Sequence, residues 1–121
     1  MDGTASGQDV GDKKQAKVPS ETSALLQYTD DLLNFGGKKY SNILFSVHIY
    51  DLWNVPESRM ADYFDRLLAK GVPIVVGEYG AKIDEGTETK QATTAMFNTA
   101  VPRGIGRVVW HWDDSDNKLT N

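Results

Sequence analysis

Three stretches of this chain leave no room for a solvated face. In "NILFSVHIY" (42–50), "VPIVVGE" (72–78) and "IGRVVWHW" (105–112), apolar residues fill both sets of alternate positions. A strand with one wet face alternates apolar with polar residues, whereas a strand covered on both faces does not. Such strands belong to parallel sheets sheathed by helices. The intervening segments have the period such helices need. Leu25, Leu26, Thr29, Leu32 and Leu33 predict a helix over 21–34, with Ser20 as its N-cap and Gly36-Gly37 as its stop. Met60, Phe64, Leu67 and Leu68 predict a second over 57–70, closed by Lys70-Gly71. Ala92, Ala95, Met96, Thr99 and Ala100 form a weaker stripe over 88–100 that Pro102 breaks. Helix and strand alternate three times, which implies an α/β fold with right-handed crossovers. Residues 1–19 are polar and read as a loop without a core of its own, leaving 20–121 to carry the fold.

Composition removes several classes of function. The net charge is −4 and no basic stripe interrupts the sequence, so a nucleic-acid partner is not expected. No apolar run approaches the roughly 20 residues a membrane span requires. The opening "MDGTASGQDVGDKKQ" lacks the hydrophobic centre of a secretory signal. With no cysteine, disulfides and thiolate metal sites are excluded.

Chemistry in such folds gathers at the carboxyl ends of the strands. The first ends in "HIYDLW", which puts His48 and Tyr50 on one face with Trp53 beyond. The second ends in Glu78 and Tyr79, with Gly77 and Gly80 on either side; the third ends in Trp110, His111 and Trp112. One carboxylate, two imidazoles and five aromatic rings at one rim make the inventory of a sugar-binding cleft. Aromatic faces suit a pyranose ring, and a carboxylate can attack its anomeric carbon. Taken singly, each residue has a plainer reading. A glutamate at a strand end is usually a solvated loop residue, and a lone histidine is usually hydrogen-bonded in a core. Asp113, Asp114 and Asp116 lack the downstream glutamate of a calcium loop. The glycines match no phosphate-binding pattern.

The segments "ILFSVHIYDLW", "VPIVVGEYGAK" and "GIGRVVWHWDDSDN" resemble the sixth, seventh and eighth strand segments of glycoside hydrolase family 5, the cellulase and β-mannanase family. "DGTASGQDV" is similar to the end of that family's fifth strand. The resemblance implies a partial (β/α)8 TIM barrel with three parallel strands, 20–121 being its C-terminal fragment. It implies a retaining endo-β-1,4-glycanase acting on cellulose or mannan, with Glu78 as nucleophile. His48 and Tyr50 match the pair lining the cleft, Tyr50 orienting the nucleophile, and Trp110 matches the ring that stacks beneath the sugar. No metal or organic cofactor is implied, and the parent enzyme is expected to be secreted.

The departures from the family pattern are equally informative. Its acid/base glutamate follows an asparagine at the end of the fourth strand, and this chain has no such pair. Glu21, Glu57, Glu85 and Glu88 all sit in helix or loop contexts. A complete barrel takes about 250 residues. The expectation is therefore an inactive fragment with two unpaired strand edges and exposed apolar surface, completed by a missing N-terminal barrel half. A non-catalytic carbohydrate-binding remnant is the alternative.

Overall fold

A computed structural model describes residues 1–3, 6–10, 23–80 and 87–110. Helix α1 (Ala24–Leu33) leads to strand β1 (Phe45–Ile49), helix α2 (Glu57–Ala69), strand β2 (Ile74–Tyr79), helix α3 (Thr87–Ala100) and the short strand β3 (Gly106–Arg107). The strands lie side by side in the order β1-β2-β3, and both pairings are parallel. The described part is thus three successive units of a βα barrel, in the expected order. Backbone hydrogen bonds extend the third strand beyond its regular part, from Val108 to Val76 and from Trp110 to Tyr79, each at 2.8 Å.

One face of the sheet is sealed. Phe45, Val47, Ile49 and Val76 are buried beneath Met60, Tyr63, Phe64 and Leu67 of α2 and Ala92, Ala95, Met96 and Ala100 of α3. Small residues along α3 let that helix approach closely, which accounts for its weak apolar stripe. The helix stops follow the expected chemistry. Gly36 and Gly71 take the left-handed backbone (φ 62° and 69°) that other residues avoid. The first helix begins later than expected. Ser23 is its N-cap and accepts from the Leu26 amide at 3.0 Å; Ser20 lies outside the described residues.

The opening residues differ from a simple polar loop. Residues 1–3 run along the outer edge of β1, where Ser46 donates to the Met1 carbonyl at 2.8 Å and Gly3 donates to the Ser46 carbonyl at 3.2 Å. The β1 edge expected to be unpaired is therefore met by this segment. Gln8, Asp9 and Val10 are buried, although two of the three are polar. The Trp53 indole donates to the Gln8 carbonyl at 2.8 Å, and its ring packs on Tyr63 with centroids 4.6 Å apart. Asp9 accepts from the amides of Ala24 (2.9 Å) and Leu25 (3.2 Å), from the Tyr63 hydroxyl (2.7 Å) and from the Ser23 hydroxyl. A carboxylate at the first turn of a helix satisfies amides that have no partner within the helix. This one acid joins the opening segment, α1 and α2. Apolar surface remains open elsewhere, with Tyr28, Leu44 and Val108 each more than half exposed.

Replacing Asp9 with alanine strands several buried donors at once and should cost about 2–4 kcal/mol of stability, read from urea denaturation. Burial pushes the Asp9 carboxyl above its ordinary value of 3.8, against the pull of its hydrogen bonds from Ser23, Tyr63, Leu25 and Ala24. The folded chain therefore holds this proton to higher pH than the unfolded chain does. The stability that Asp9 contributes is largest in acid and declines as pH rises through the native value. In Asp9→Asn, which does not titrate, denaturation across the acid range should lose that component of the decline.

Candidate active site

The register between β1 and β2 contains one irregularity, and it decides where Glu78 points. Phe45 pairs with Ile74, Ser46 with Val75 and Val47 with Val76, after which His48 pairs with Glu78 and Ile49 with Tyr79. Gly77 is the extra residue of a β-bulge. The third strand registers the same step from the other side, since two residues of advance from Val108 to Trp110 span three from Val76 to Tyr79. Without the bulge, alternation would place Glu78 opposite Ile49, on the face packed against helices. With it, Glu78 shares the open face of His48 and Tyr50. Glycine leaves room here, since a Cβ on Gly77 would lie 2.2 Å from the Ser46 hydroxyl oxygen and force that side chain aside.

Two side chains from β1 converge on Glu78. The His48 Nδ1 lies 3.3 Å from Glu78 Oε2, and the Tyr50 hydroxyl donates to the same oxygen at 3.4 Å. The opening segment holds the imidazole from the far side, with Nδ1 3.0 Å from the Ser6 carbonyl and Nε2 3.5 Å from Asp2 Oδ1. The His48 amide also donates to the Gly7 carbonyl at 2.8 Å. Gly7 has φ 82°, and a Cβ there would sit 2.3 Å from His48 Nδ1. The Glu78 side chain is 26% exposed and that of His48 14%, so the carboxylate faces solvent while the imidazole is largely enclosed.

Trp110 is brought alongside by its amide hydrogen bond to the Tyr79 carbonyl, and it is 43% exposed to solvent. Gly80 permits this approach, since a Cβ there would meet the Trp110 carbonyl oxygen at 2.6 Å. His48, Tyr50, Glu78 and Trp110 therefore stand at the carboxyl ends of three adjacent strands, on the elements the sequence indicated.

The expected rim of five rings is smaller among the described residues. Trp53 is fully buried because its indole is used to hold Gln8. Tyr79 turns to the helix side and meets Phe97 edge-on, with centroids 5.4 Å apart. Tyr50 and Trp110 remain; His111, Trp112 and the acidic run after them lie outside the described residues. Glu57 and Glu88 sit in the first turns of α2 and α3, both exposed, and Glu21 and Glu85 are outside the described residues. A groove of about 570 Å³ between Asn54–Glu57 and the Lys90–Ala95 side of α3 contains none of the convergent groups. No cluster of three or more His, Asp or Glu suited to a metal occurs among the described residues. Sequence reasoning missed Asp2, Ser6 and Gly7, since a short polar loop carries no periodic signal of what it docks against.

A carboxylate beside an imidazole and a phenol at the carboxyl ends of parallel strands stands where βα barrels place their functional groups. Residues 12–116 match the family model described as Cellulase (glycosyl hydrolase family 5), and the chain belongs to that family. It is 34% identical over 71 residues to a mannan endo-1,4-beta-mannosidase of Streptomyces lividans, an alignment covering 59% of this chain and 18% of that protein. Over a stretch of the same length it is 31% identical to the beta-mannanase/endoglucanase A of Caldicellulosiruptor saccharolyticus, of which it covers 5%. Its fold matches 30% of the beta-mannanase of Streptomyces thermolilacinus solved with mannohexaose, at a TM-score of 0.57 and 22% identity, over 76% of this chain. A mannanase catalytic domain from Streptomyces sp. SirexAA-E matches with a TM-score of 0.61 at 21% identity, over 77% of this chain and 28% of that one. The chain thus spans less than a third of each of these relatives, and its three strands form part of a TIM barrel.

The bulge makes a testable demand. Gly77→Ala should destabilise the chain by about 1–3 kcal/mol through steric crowding. Removing the obstructing hydroxyl in Ser46→Ala/Gly77→Ala should recover a measurable part of that loss in a double-mutant cycle read by urea denaturation.

Proposed function

We propose that this chain is the C-terminal catalytic portion of a retaining endo-β-1,4-glycanase, with β-1,4-mannan as the favoured substrate. The reading is carried by one observation, the convergence of His48 Nδ1 and the Tyr50 hydroxyl on a single oxygen of Glu78. Both groups restrain the carboxylate while leaving it open to solvent and to a sugar. In this mechanism Glu78 attacks the anomeric carbon as the glycosidic bond breaks, forming a glycosyl ester that water later cleaves. The Tyr50 hydrogen bond fixes which oxygen attacks. Trp110 supplies an exposed ring for the sugar face. The preference for mannan rests on the relatives named above, a mannan endo-1,4-beta-mannosidase and a beta-mannanase/endoglucanase.

A retaining site needs a second carboxyl about 5–5.5 Å from the nucleophile to protonate the leaving oxygen. The other described glutamates, Glu57 and Glu88, open helices instead. The acid/base is therefore assigned to the complementary part of the barrel, joined covalently or not. The 121-residue chain alone should release no Glu78-dependent reducing ends from soluble mannan or cellulose derivatives; such release would refute the proposed division of labour.

With a complement carrying the earlier strands, mannan hydrolysis should appear, and Glu78→Gln should lower kcat at least about 10⁴-fold. Tyr50→Phe removes one hydrogen bond to a charged group and should cost about 10- to 100-fold. The exposed Trp110 ring also fits a non-catalytic sugar-binding remnant. That reading requires mannohexaose binding that survives Glu78→Ala, together with no hydrolysis in the complemented state.

A further inference from the structure

We propose that Asp2 is a positioning residue that sets the orientation of Glu78 through the His48 imidazole. The inference rests on Glu78 being the reacting carboxylate, and it concerns what holds that carboxylate still. Both neighbours of His48 Nδ1, the Ser6 carbonyl at 3.0 Å and Glu78 Oε2 at 3.3 Å, are hydrogen-bond acceptors. Nδ1 therefore carries a hydrogen, which is bonded to the Ser6 carbonyl with Glu78 Oε2 close beside it. The other ring nitrogen, Nε2, faces Asp2 Oδ1 at 3.5 Å, an ion pair that the ring makes in its doubly protonated form, in which this nitrogen also carries a hydrogen. Gly7 closes on the ring so tightly that even a methyl group there would overlap it. Held at both nitrogens and across its face, the imidazole has one orientation, and Nδ1 then fixes Glu78.

Asp2 is itself anchored. Its backbone pairs with Ser46, and the influence of the Ser46 hydroxyl holds its carboxyl below the usual carboxylate range. Ser46 in turn occupies the space that Gly77 leaves open. The bulge and the aspartate thus share one hydroxyl, and the path runs from Ser46 to Asp2 to His48 to Glu78. Among the described residues, the charged groups that meet the ring are Asp2 from the opening segment and Glu78 from β2. The Asp2 side chain is 59% exposed, and an ion pair so open to water contributes little to stability. Its effect lies in where the ring points.

This distinction supplies the test. The full chain has two histidines, His48 and His111, so its ring signals can be assigned with a single His111→Gln control. In labelled protein, Asp2→Asn should shift the His48 Nε2 resonance and displace the Glu78 side-chain carboxyl carbon signal, with the amide spectrum and the urea midpoint unchanged. Asp2→Glu, which keeps the charge, should retain most of the wild-type signals. Ser46→Ala, which frees Asp2 without touching its charge, should move both signals in the same direction as Asp2→Asn. In a His48→Ala background, Asp2→Asn should leave Glu78 where His48→Ala alone put it. A Glu78 signal that ignores Asp2→Asn overturns the proposal, as does one displaced equally with and without the imidazole. Neither readout involves glycan turnover, so this assignment can fail while the hydrolase reading stands, and the reverse also holds.

Discussion

The arrangement at the strand ends depends on one residue that does not pair. Gly77 stands out of the ladder between Val76 and Glu78, and both neighbouring strands adjust to it. Side chains alternate along a strand, so one unpaired residue exchanges the faces of everything that follows. Val76 packs under the helices, and Glu78, two positions on, consequently faces the open side. A carboxylate forced against Ile49 would have been a buried charge without compensation, among the costliest arrangements in a core. The bulge both avoids that cost and delivers the acid to His48 and Tyr50.

A second acid, Asp9, organises the other end of the described chain. It is fully buried, yet its oxygens receive two helix amides and two hydroxyls from segments far apart in sequence. The loop carrying it also supplies Ser6 and Gly7, which hold His48. Anchoring that loop to α1 and α2 therefore positions one wall of the site. A structural carboxylate and a candidate reactive one are thus connected through a short stretch of backbone.

Much of this could be read in the sequence. Runs with apolar residues in both sets of alternate positions identified three parallel strands, although helices cover one face of the described sheet and not both. Helical spacing with glycine stops identified the helices between them. The order of "HIY", "GEY" and "WHW" segments indicated the barrel and its rim. What escaped was set by tertiary contact. A bulge leaves no mark in composition beyond a glycine, and glycines at strand ends have many uses. Trp53 looked like a cleft aromatic because it follows the strand end, but its indole has a buried carbonyl partner. Gln8 and Asp9 looked like loop residues because they are polar, and only the donors converging on them show why they are inside.

The two faces of the sheet live in different media. The helix side is dry, with Phe45, Ile49 and Val76 fully buried, while Val108 on the opposite side is 56% exposed. The polar contacts gripping Glu78 therefore compete with bulk water in the chain as it stands, and solvent dipoles blunt them. Enclosing that side would lower the local dielectric and sharpen every electrostatic contact at the carboxylate without moving an atom. Reactivity in this architecture is then a property of enclosure as much as of the residues enclosed.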